Sequence, residues 1–424
     1  MADGSSRREF LKTSTAATVG GSLLGALAVP RSAHAAGSDV LKIGLVGCGG
    51  RGTGAAANAM KADPHCKLVA MADTFADRIE MSRKSLERAG GDKYAVTDEQ
   101  CFVGFDAYKQ LLATDVDVVI LATSPHFRPE HYAATIAAGK HCFVEKPVAV
   151  DAPGYRSVLE TNKAAREKKL SVVSGLCWRY DHGVRATMDQ IQNGAIGDVL
   201  AVQSTYNTGQ LWHRGDDPKW SRMENQMRNW LYYTWLSGDH NVEQHIHSLD
   251  KTAWLMGDDH PVKAWGLGGR QQRTDPKYGH IFDHHAVVYE YPNGKRVFAY
   301  TRQQTGCSTD VEEVVIGTKG TAEVLGNRIA GQTEWRYQGE KPNMYQAEHD
   351  ELFASIRSGK PIHNGDYMAN STMIAIMGRM ATYTGQTLTW EQAIASQERL
   401  GPDKYEWGDM PEPVVAIPGK TPFV

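Results

Sequence analysis

A glycine-rich stretch near the start of the chain places the strongest constraint on its fold. The stretch "GLVGCGGRGTG" begins at Gly44, between the apolar run "VLKI" and the alanine-rich segment "TGAAANAMKAD". These flanks predict a buried strand followed by a helix. Gly47, Gly49 and Gly52 form G-x-G-x-x-G at the junction. The first glycine permits a tight turn, the second lets the backbone approach a pyrophosphate, and the third lets helix and strand pack closely. In this context the stretch predicts a phosphate site at a helix N-terminus rather than a structural turn alone.

A carboxylate downstream of the glycines refines this prediction. The segment "CKLVAMAD" is a second apolar run and ends in Asp73. An acid at this place can accept hydrogen bonds from the adenine ribose hydroxyls and would repel a 2′-phosphate. Asp73 therefore favours NAD over NADP, although Arg51 and Arg78 lie nearby in the sequence and would soften that preference.

Strands and helices continue to alternate as far as residue 176. The runs "VDVVILAT" (116–123), "HCFVEKPVA" and "LSVVSGL" predict strands. The segments "PEHYAATIAAGK", which ends near Gly139, and "APGYRSVLETNKAAREKK" predict helices. This alternation predicts a doubly wound parallel sheet, an α/β Rossmann domain over residues 38–176.

The pattern changes from residue 177 onward. The segments "VLAVQSTYNTG", "VKAWGLGG", "HAVVYEYPNGKRVFAYTRQ" and "EEVVIGTKGTAEVLG" predict antiparallel strands with turns such as Pro292-Asn293-Gly294. Residues 344–384 return to a helical pattern, and the proline-rich end is expected to lie extended on the surface. Residues 177–424 are therefore predicted to form an α+β domain that binds substrate and supports oligomerisation.

The first 36 residues predict an export signal. Arg7 and Arg8 precede a weakly apolar stretch over 16–29, and Ala33-His34-Ala35 fits a small-x-small cleavage site. This is the pattern of a twin-arginine signal peptide, which predicts a periplasmic or otherwise exported protein. The apolar stretch is too short and too rich in Gly, Ser and Thr to span a bilayer, so no stable membrane insertion is expected. The twin-arginine route moves folded proteins, so a cofactor can be bound before export.

Charge and cysteine usage exclude several functional classes. The net charge is −3, which gives no broad basic surface for nucleic acid or an anionic membrane. The six cysteines contain no C-x-x-C pair, so a zinc ribbon is not expected. A chain of 424 residues does not need a disulfide framework, and free thiols are expected.

Several motifs in the same order resemble one oxidoreductase family. The segments "GKHCFVEKPVAVD", "VVILATSPHFRPEH" and "HIHSLDKTAWLMG", together with the glycine stretch, resemble the glucose–fructose oxidoreductase / inositol dehydrogenase (Gfo/Idh/MocA) family from Leu41 to Ala393. Glu145-Lys146-Pro147 resembles its E-K-P motif, "CWRYDHG" its N-R-R-[FY], and "EHDELFASIRSGKP" its late helix. The resemblance implies a Rossmann domain followed by a domain whose open, mostly antiparallel sheet covers the nicotinamide.

The resemblance also implies a catalytic group. The family carries a D-x-x-x-H pair beside the lysine, and here His247 holds the histidine place while Glu243 replaces the aspartate. His247 would accept the hydroxyl proton, and Lys146 would stabilise charge on the same oxygen. On one helix, Glu243 would share a face with His247 and orient it or a substrate hydroxyl. NAD would take the hydride.

The predicted site residues fall into two sets. The predicted cofactor-binding residues are Gly47, Gly49, Gly50, Arg51, Gly52, Asp73, Thr123, Ser124, His126, Glu145 and Lys146. The predicted substrate-binding residues are Lys146, Trp178, Arg179, Tyr180, His240, Glu243, His247 and His284. No metal is predicted at this site.

Two alternatives concern the histidines and the tryptophans. A metal site built from Glu243, His247, His284 and His285 is the competing interpretation of the histidine-rich segments, although residues 245 and 247 point to nearly opposite sides of a helix. The segment from Leu211 to His240 holds four tryptophans, at positions 212, 220, 230 and 235. These tryptophans either stack on sugar rings or pack a core or an oligomer interface.

The combined prediction is an exported NAD-dependent oxidoreductase that acts on a secondary hydroxyl of a sugar, glycoside or polyol. Free NAD is scarce outside the cytoplasm, so the cofactor is expected to stay tightly bound. The alternative is a redox-neutral glycosidase or epimerase that acts through a transient 3-keto sugar, against which the E-K-P lysine argues. A sugar-binding or regulatory protein with a vestigial Rossmann domain is opposed by the intact glycine stretch, Asp73, Lys146 and His247. A homo-oligomer, dimer or tetramer, is expected.

Overall fold

The structure, a computed structural model, describes residues 39–412 and 414–424. The predicted export signal, residues 1–36, lies outside the described residues. Within the described part of the chain, no helix is both long enough and apolar enough to cross a membrane.

A parallel sheet of six strands forms the first half of the chain. The strands are β1 Leu41–Val46, β2 Cys66–Asp73, β3 Cys101–Val103, β4 Val118–Leu121, β5 His141–Val144 and β6 Val172–Ser174. Their order across the sheet is β3-β2-β1-β4-β5-β6, and every neighbouring pair is parallel. The order reverses between β1 and β4, so a crevice opens at the carboxyl ends of these strands, where open α/β sheets bind ligands. The predicted doubly wound fold is confirmed.

Five helices cover the two faces of this sheet. They are α1 Gly50–Ala62, α2 Ala76–Gly90, α3 Ala107–Leu112, α4 Arg128–Ala137 and α5 Ala152–Glu167. The chain leaves α4 through Gly139, whose φ of +72° lies in the left-handed region. Asp151 caps α5 by accepting a hydrogen bond from the Gly154 N–H.

A nine-stranded sheet dominates the second half. The strands are β7 Val199–Thr208, β8 Lys263–Gly269, β9 His284–Glu290, β10 Arg296–Gln303, β11 Asp310–Gly317, β12 Gly320–Glu323, β13 Arg328–Gly331, β14 Trp335–Arg336 and β15 Leu388–Thr389. Their order is β14-β13-β12-β11-β7-β10-β9-β8-β15. Only β7 and β10 pair in parallel. The predicted mostly antiparallel sheet is confirmed.

Eight helices accompany this sheet. They are α6 His182–Gln192, α7 Arg222–Arg228, α8 Thr234–Ser237, α9 His240–Glu243, α10 Ile246–Leu255, α11 Met344–Ser358, α12 Gly365–Thr384 and α13 Trp390–Ala395. The helical pattern predicted for residues 344–384 is two helices, because Gly359 ends α11 with a φ of +64°. Helix α12 is buried on nearly every side and packs against α5, α10 and β8. It therefore belongs to the core of both halves.

Candidate active site

The three glycines of the G-x-G-x-x-G stretch meet different surroundings. Gly47 has a φ of +98°, and a Cβ there would lie 2.5 Å from the backbone of Ala122. A Cβ on Gly52 would lie 1.9 Å from the carbonyl oxygen of Gly47. In contrast, a Cβ on Gly49 would meet no atom within 4 Å. Gly47 and Gly52 are thus required by packing, whereas the space beside Gly49 is free for a ligand.

Asp73 lies at the carboxyl end of β2, facing the same space. Its Oδ2 accepts a hydrogen bond from the Cys48 N–H at 2.6 Å, and its Oδ1 accepts one from the Phe75 N–H at 2.9 Å. Burial raises the pKa of this carboxyl above its ordinary value. The residue that caps α2 is Phe75, so Asp73 is not a helix cap. Each carboxylate oxygen keeps capacity for one more donor, as ribose hydroxyls would require.

A cavity of about 300 Å³ joins the glycines to Asp73. Eight predicted cofactor residues line it: Gly47, Gly49, Gly50, Arg51, Gly52, Asp73, Thr123 and Ser124. The free space at Gly49, the helix N-terminus behind it and the carboxylate of Asp73 fit a dinucleotide.

The outer wall of this cavity comes from the second half of the chain. Trp212, Arg214, Met227, Arg228 and Trp230 line it opposite the glycines. The rings of Trp212 and Trp230 meet edge-on with centroids 5.8 Å apart. The remaining two tryptophans of this segment are not in the cavity lining. No sequence pattern predicted that part of the tryptophan-rich segment lines the same cavity as the glycine-rich stretch.

Arg51 is committed to carboxylates. Its Nε donates to Glu145, which follows β5, and its Nη2 donates to Glu348 of α11 at 2.8 Å. Burial raises the pKa of Glu348 well above its ordinary value, and the neighbouring charge of Glu145 adds to this effect. Arg51 therefore joins the glycine-rich stretch to β5 and α11. Because its guanidinium already pairs with these two carboxylates, the prediction that Arg51 softens the preference for NAD over NADP does not fit this geometry.

Lys146 and Glu243 form an ion pair between the two halves of the chain. The Nζ of Lys146 lies 2.8 Å from Oε1 of Glu243 and also donates to the Glu243 carbonyl. Each side chain is only 10% exposed. Lys146 follows β5, next to the crevice at β1 and β4, so the pair lies on the same edge of the parallel sheet as the glycines.

His247 lies beside this ion pair. It belongs to α10 and is half-buried, and its ring is stacked with that of Tyr206 at a centroid distance of 6.4 Å. Its Nδ1 is buried and has no hydrogen-bond partner among the described residues. Burial, and next the charge of Lys146, lower the pKa of His247 well below 6.5. The imidazole is therefore neutral near pH 7 and able to accept a proton.

Glu243 does not act on His247 in the way that the sequence predicts. The chain is not one helix here, because α9 ends at Glu243 and α10 begins at Ile246. The carboxylate of Glu243 turns to Lys146 instead. The expectation of a shared helical face fails because of this break.

Two predicted substrate residues, Arg179 and Tyr180, lie in other environments. Arg179 is buried, donates to Asp250 at 2.9 Å and to Asp258, and stacks on a tyrosine ring. Tyr180 is 2% exposed and donates to Asn364 at 2.7 Å. These contacts commit both side chains to packing of the core rather than to a ligand.

His240 lies in a buried polar cluster with Asp239 and His285. Its Nδ1 is 2.8 Å from Asp239 Oδ1, which is 3.2 Å from Nε2 of His285. Arg273 approaches His240 within 3.5 Å. His240 is fully buried in this cluster and does not reach the Lys146 ion pair, contrary to its predicted role in substrate binding.

The competing metal hypothesis also does not match this cluster. Within residues 39–412 and 414–424, Asp239, His240 and His285 are the group whose ligand atoms all lie within 4.8 Å of one another. Of the four hypothesised ligands only His285 belongs to it, since Glu243 pairs with Lys146 and His284 with Asp283 at 2.8 Å.

The remaining predicted residues lie at the margins. His126 lines a neighbouring cavity, where its Nε2 is 2.8 Å from the Tyr405 hydroxyl, and it is not part of the glycine-lined cavity. Trp178 is half-buried under the ammonium of Lys251, 5.0 Å from the ring centroid. The ion pair of Lys251 with Glu313 was not predicted, because it connects α10 to β11, which is distant in the sequence.

Two family models match the two halves of the chain. Residues 41–175 match the family model described as oxidoreductase family, NAD-binding Rossmann fold, and residues 188–403 match its C-terminal alpha/beta domain. The inositol 2-dehydrogenase of Pseudomonas savastanoi pv. phaseolicola is 26% identical over 67% of this chain and 74% of the relative. The 2,7-anhydro-N-acetylneuraminate hydratase of Escherichia coli K12 is 28% identical over 52% of this chain and only 56% of the relative.

The fold also matches solved structures. The scyllo-inositol dehydrogenase of Lactobacillus casei, solved with NAD(H) and scyllo-inositol, superposes with a TM-score of 0.63 at 18% identity. The match covers 83% of this chain and 99% of that structure, so the two share both the parallel-sheet and the antiparallel-sheet halves.

Proposed function

Because this chain belongs to the Gfo/Idh/MocA oxidoreductase family, we propose that it transfers hydride between NAD and a secondary hydroxyl of a sugar, glycoside or polyol. The name of one relative, an inositol 2-dehydrogenase, supports a polyol or sugar as the substrate class. Export of the protein, tight binding of the cofactor and self-association are further parts of this proposal.

One observation carries the proposal. An ammonium from the first half of the chain and a carboxylate from the second half meet at 2.8 Å, beside a neutral imidazole and on the same sheet edge as the glycines. A buried ion pair in such a crevice, next to an imidazole whose pKa is lowered, is typical of an active site.

The side chains divide the work on the hydroxyl. His247 is neutral near pH 7 and half-buried, so it is the group placed to accept the hydroxyl proton, although its lowered pKa makes it a weaker base than a free imidazole. Lys146 donates to the same oxygen and stabilises the negative charge that develops there. Glu243 fixes the ammonium of Lys146 through its carboxylate and its carbonyl.

The cofactor supplies the hydride acceptor when it is bound. Asp73 supports NAD rather than NADP, since both of its oxygens already face the cavity as acceptors and a 2′-phosphate would be repelled. Tight retention is supported by Trp212 and Trp230, which cover the cavity opposite Gly49.

The variant Lys146→Met tests the assignment. We expect it to bind NADH like the wild type, since Lys146 does not line the glycine cavity, but to lose at least about a hundredfold in turnover. NADH binding is measured by fluorescence titration, and turnover is followed at the NADH absorbance band with myo-inositol, scyllo-inositol and a panel of aldoses. The control is Lys163→Met, which removes an exposed lysine of α5 that pairs with Glu160. Full turnover by Lys146→Met would remove this lysine from the mechanism.

A redox-neutral reaction is the second candidate. The relative named as a hydratase supports it, because adding water to an anhydro sugar involves no net oxidation. In such a reaction, oxidation at one carbon would acidify the neighbouring C–H, loss of that proton would expel a substituent and leave an enone, water would add to its double bond, and the ketone would be reduced again by the hydride removed at the start. Release of nitrophenol from nitrophenyl glycosides without net formation of NADH would favour this candidate, whereas stoichiometric NADH would favour plain oxidoreduction.

Export through the twin-arginine route is supported by Arg7 and Arg8 and by the cleavage pattern at Ala33-His34-Ala35. Cell fractionation of the full-length chain should give a shortened periplasmic form. The variant R7K/R8K should remain uncleaved in the cytoplasm. Equal export of both chains would contradict this part of the proposal.

Self-association is supported by the outward face of the nine-stranded sheet. Its strand register places Trp265, Leu267, Phe298, Tyr300 and Ile316 on one face. Leu267 is 78% exposed, and Tyr300 and Ile316 are also exposed. Exposed large apolar side chains among polar ones on a sheet face are compatible with a subunit interface. The variant Leu267→Glu should shift the molar mass measured by light scattering toward that of the monomer. An unchanged molar mass would exclude this face as the subunit interface.

A further inference from the structure

Two of the arginines that line the glycine cavity, Arg78 and Arg214, are not neutralised by a carboxylate of their own. We propose that Arg78 and Arg214 together bind a phosphate group of the dinucleotide, so that the tryptophan-rich segment of the second half completes the cofactor site. This inference rests on the proposed binding of a dinucleotide. It concerns residues outside the glycine stretch, and Arg214 lies in a part of the chain that sequence reasoning assigned to sugars or packing.

The charge balance of the cavity supports this inference. Four arginines line it, at positions 51, 78, 214 and 228. Arg51 is neutralised by Glu145 and Glu348, and Arg228 by Asp77 and Glu224.

The other two arginines lack such partners. Arg78 approaches a carboxylate only at 3.8 Å, and that carboxylate belongs to Asp77, which Arg228 already holds at 3.0 Å. Arg214 forms no ion pair within the described part of the chain. Arg78 lies close enough to Arg214 to lower its pKa, although burial is the larger cause. Two neighbouring guanidinium groups repel each other, and an anion between them removes that repulsion.

Arg214 is held in place by its own segment. Its guanidinium lies 4.4 Å from the ring centroid of Trp212, which in turn packs on Trp230. The N–H of Arg214 donates to Oδ1 of Asn229 at 2.8 Å, and Nδ2 of Asn229 donates to the Gly215 carbonyl at 3.0 Å. Asn229 is fully buried, so a core residue fixes the loop that presents Arg214. The backbone of Arg214 is thus held by a buried residue, and its exposed guanidinium, packed on Trp212, lines the cavity.

Two phosphate sources share this chemistry. The pyrophosphate is present in both NAD and NADP, whereas the 2′-phosphate is present in NADP alone. Asp73 and the glycines line the same cavity as the two arginines, so both the adenosine ribose and the pyrophosphate would lie within this cavity. Binding of the two reduced cofactors therefore distinguishes the sources.

The test compares Arg214→Gln with a matched control, Arg222→Gln. Arg222 lies on the same segment but pairs with Glu412 at 2.7 Å and does not line the cavity. The dissociation constants for NADH and NADPH are measured by fluorescence titration of the full-length wild type and of each variant. We expect Arg214→Gln to raise the dissociation constant about tenfold, as the loss of a charge-assisted hydrogen bond does, and Arg222→Gln to leave it unchanged. Arg214→Lys should recover part of the loss.

Each outcome has a distinct meaning. An equal rise for both cofactors assigns the arginine pair to the pyrophosphate, and a rise for NADPH alone assigns it to the 2′-phosphate. Unchanged constants for both Arg214→Gln and Arg78→Gln, with normal binding by the wild type, overturn the inference and leave the proposed function intact. A wild type that binds neither cofactor overturns the proposed function as well.

Discussion

Glu243 shows how one methylene changes the role of a side chain at the site. The family position carries aspartate, and the sequence predicts that its replacement orients His247. The structure instead uses the longer side chain to reach Lys146 at 2.8 Å across the two halves of the chain. The lysine is thereby held by a carboxylate and a carbonyl of the same residue.

Substitution of Glu243 should separate binding from turnover. Glu243→Gln leaves the Lys146 ammonium without a counter-charge, so its position is lost and kcat should fall at least about tenfold, with the dissociation constant for NADH unchanged. The kcat of Glu243→Asp should lie between that of the wild type and that of Glu243→Gln, because the shorter side chain loosens the ion pair with Lys146. Steady-state kinetics and NADH titration check this, with the exposed Glu80→Gln as control. Wild-type kcat in Glu243→Gln would show that the ion pair is dispensable.

A second ion pair, between Lys251 and Glu313, is fully buried and contacts the backbone of His247. Lys251 Nζ is 3.1 Å from Oε2 of Glu313, and neither side chain is exposed. The same ammonium donates to the His247 carbonyl at 3.2 Å. Burial raises the pKa of Glu313 to about 7, although the charge of Lys251 opposes this shift.

Breaking this buried pair should be costly, whereas replacing both partners should not. Lys251→Met leaves a buried carboxylate unpaired and should lower the free energy of unfolding by about 3–5 kcal/mol. The double variant Lys251→Met/Glu313→Leu should recover most of that loss, because no unpaired charge remains. Urea unfolding curves measure both. Additive destabilisation in the double variant would contradict this account.

At the scale of single residues, the sequence was most informative where chemistry is local. Gly47, Gly49, Gly52 and Asp73 were predicted, because their functions depend on backbone geometry within one strand–loop–helix unit. Arg179 was not placed correctly, since its partner Asp250 lies 71 residues away and no local pattern reports the pairing.

At the scale of elements, the glycine-rich loop is where packing and binding separate most clearly. Gly52 is enclosed by the Gly47 carbonyl, whereas Gly49 and Gly54 have no atom within 4 Å of an added Cβ. Gly54 differs from Gly49 in lying inside α1, one turn further from the cavity.

Three alanine substitutions follow from this difference. Gly52→Ala should lower the melting temperature strongly, because its Cβ would overlap the Gly47 carbonyl. Gly49→Ala should fold normally but bind NADH at least about tenfold more weakly, because its methyl group occupies the space for the phosphates. Gly54→Ala is the control and should retain binding, with stability raised by about 0.5–1 kcal/mol from helix propensity. Normal NADH binding by Gly49→Ala would mean that the loop is only a turn.

The strands and helices themselves were predicted wherever apolar runs were long. The first two strands and helices α1, α4 and α5 follow from periodicity and glycine stops. Strand β3 was missed because its three residues do not belong to a longer apolar run, unlike those of β6. The break between α9 and α10 was missed because both pieces carry a helical pattern. The position of the tryptophan-rich segment over the cavity is set by contacts between distant parts of the chain, which no local pattern encodes.

At the scale of the whole molecule, buried histidines should govern stability in acid. Burial lowers the pKa of His126, His240 and His280 to about 4, and that of His131 and His349 to about 3. The same groups in the unfolded chain titrate near 6.5. Below pH 6.5 the unfolded state therefore binds more protons, so stability falls as the pH is lowered toward 4.

The expected effect is large. At pH 5.5 each such histidine lowers the free energy of unfolding by about 1 kcal/mol. The five together therefore remove several kcal/mol from a free energy of unfolding that is typically about 5–15 kcal/mol. Glu313 acts in the opposite direction, because its raised pKa lets the folded state gain protons between pH 7 and 4.5. Urea unfolding at pH 7.5, 6.5 and 5.5 should show a steep decline. A free energy of unfolding that does not change with pH would show that these imidazoles are protonated in the folded protein.

The contact of Arg51 with Glu348 has a consequence for biosynthesis. The glycine-rich loop is synthesised early. Glu348, which accepts a hydrogen bond from Arg51 of that loop, is synthesised 297 residues later. Trp230, which lines the cavity, also follows the loop at a long distance in the sequence. A nascent chain that has completed only its parallel sheet lacks both Glu348 and Trp230. On the proposed function, a chain truncated before Glu348 lacks one partner of Arg51 and is expected to bind a dinucleotide more weakly than the full-length chain.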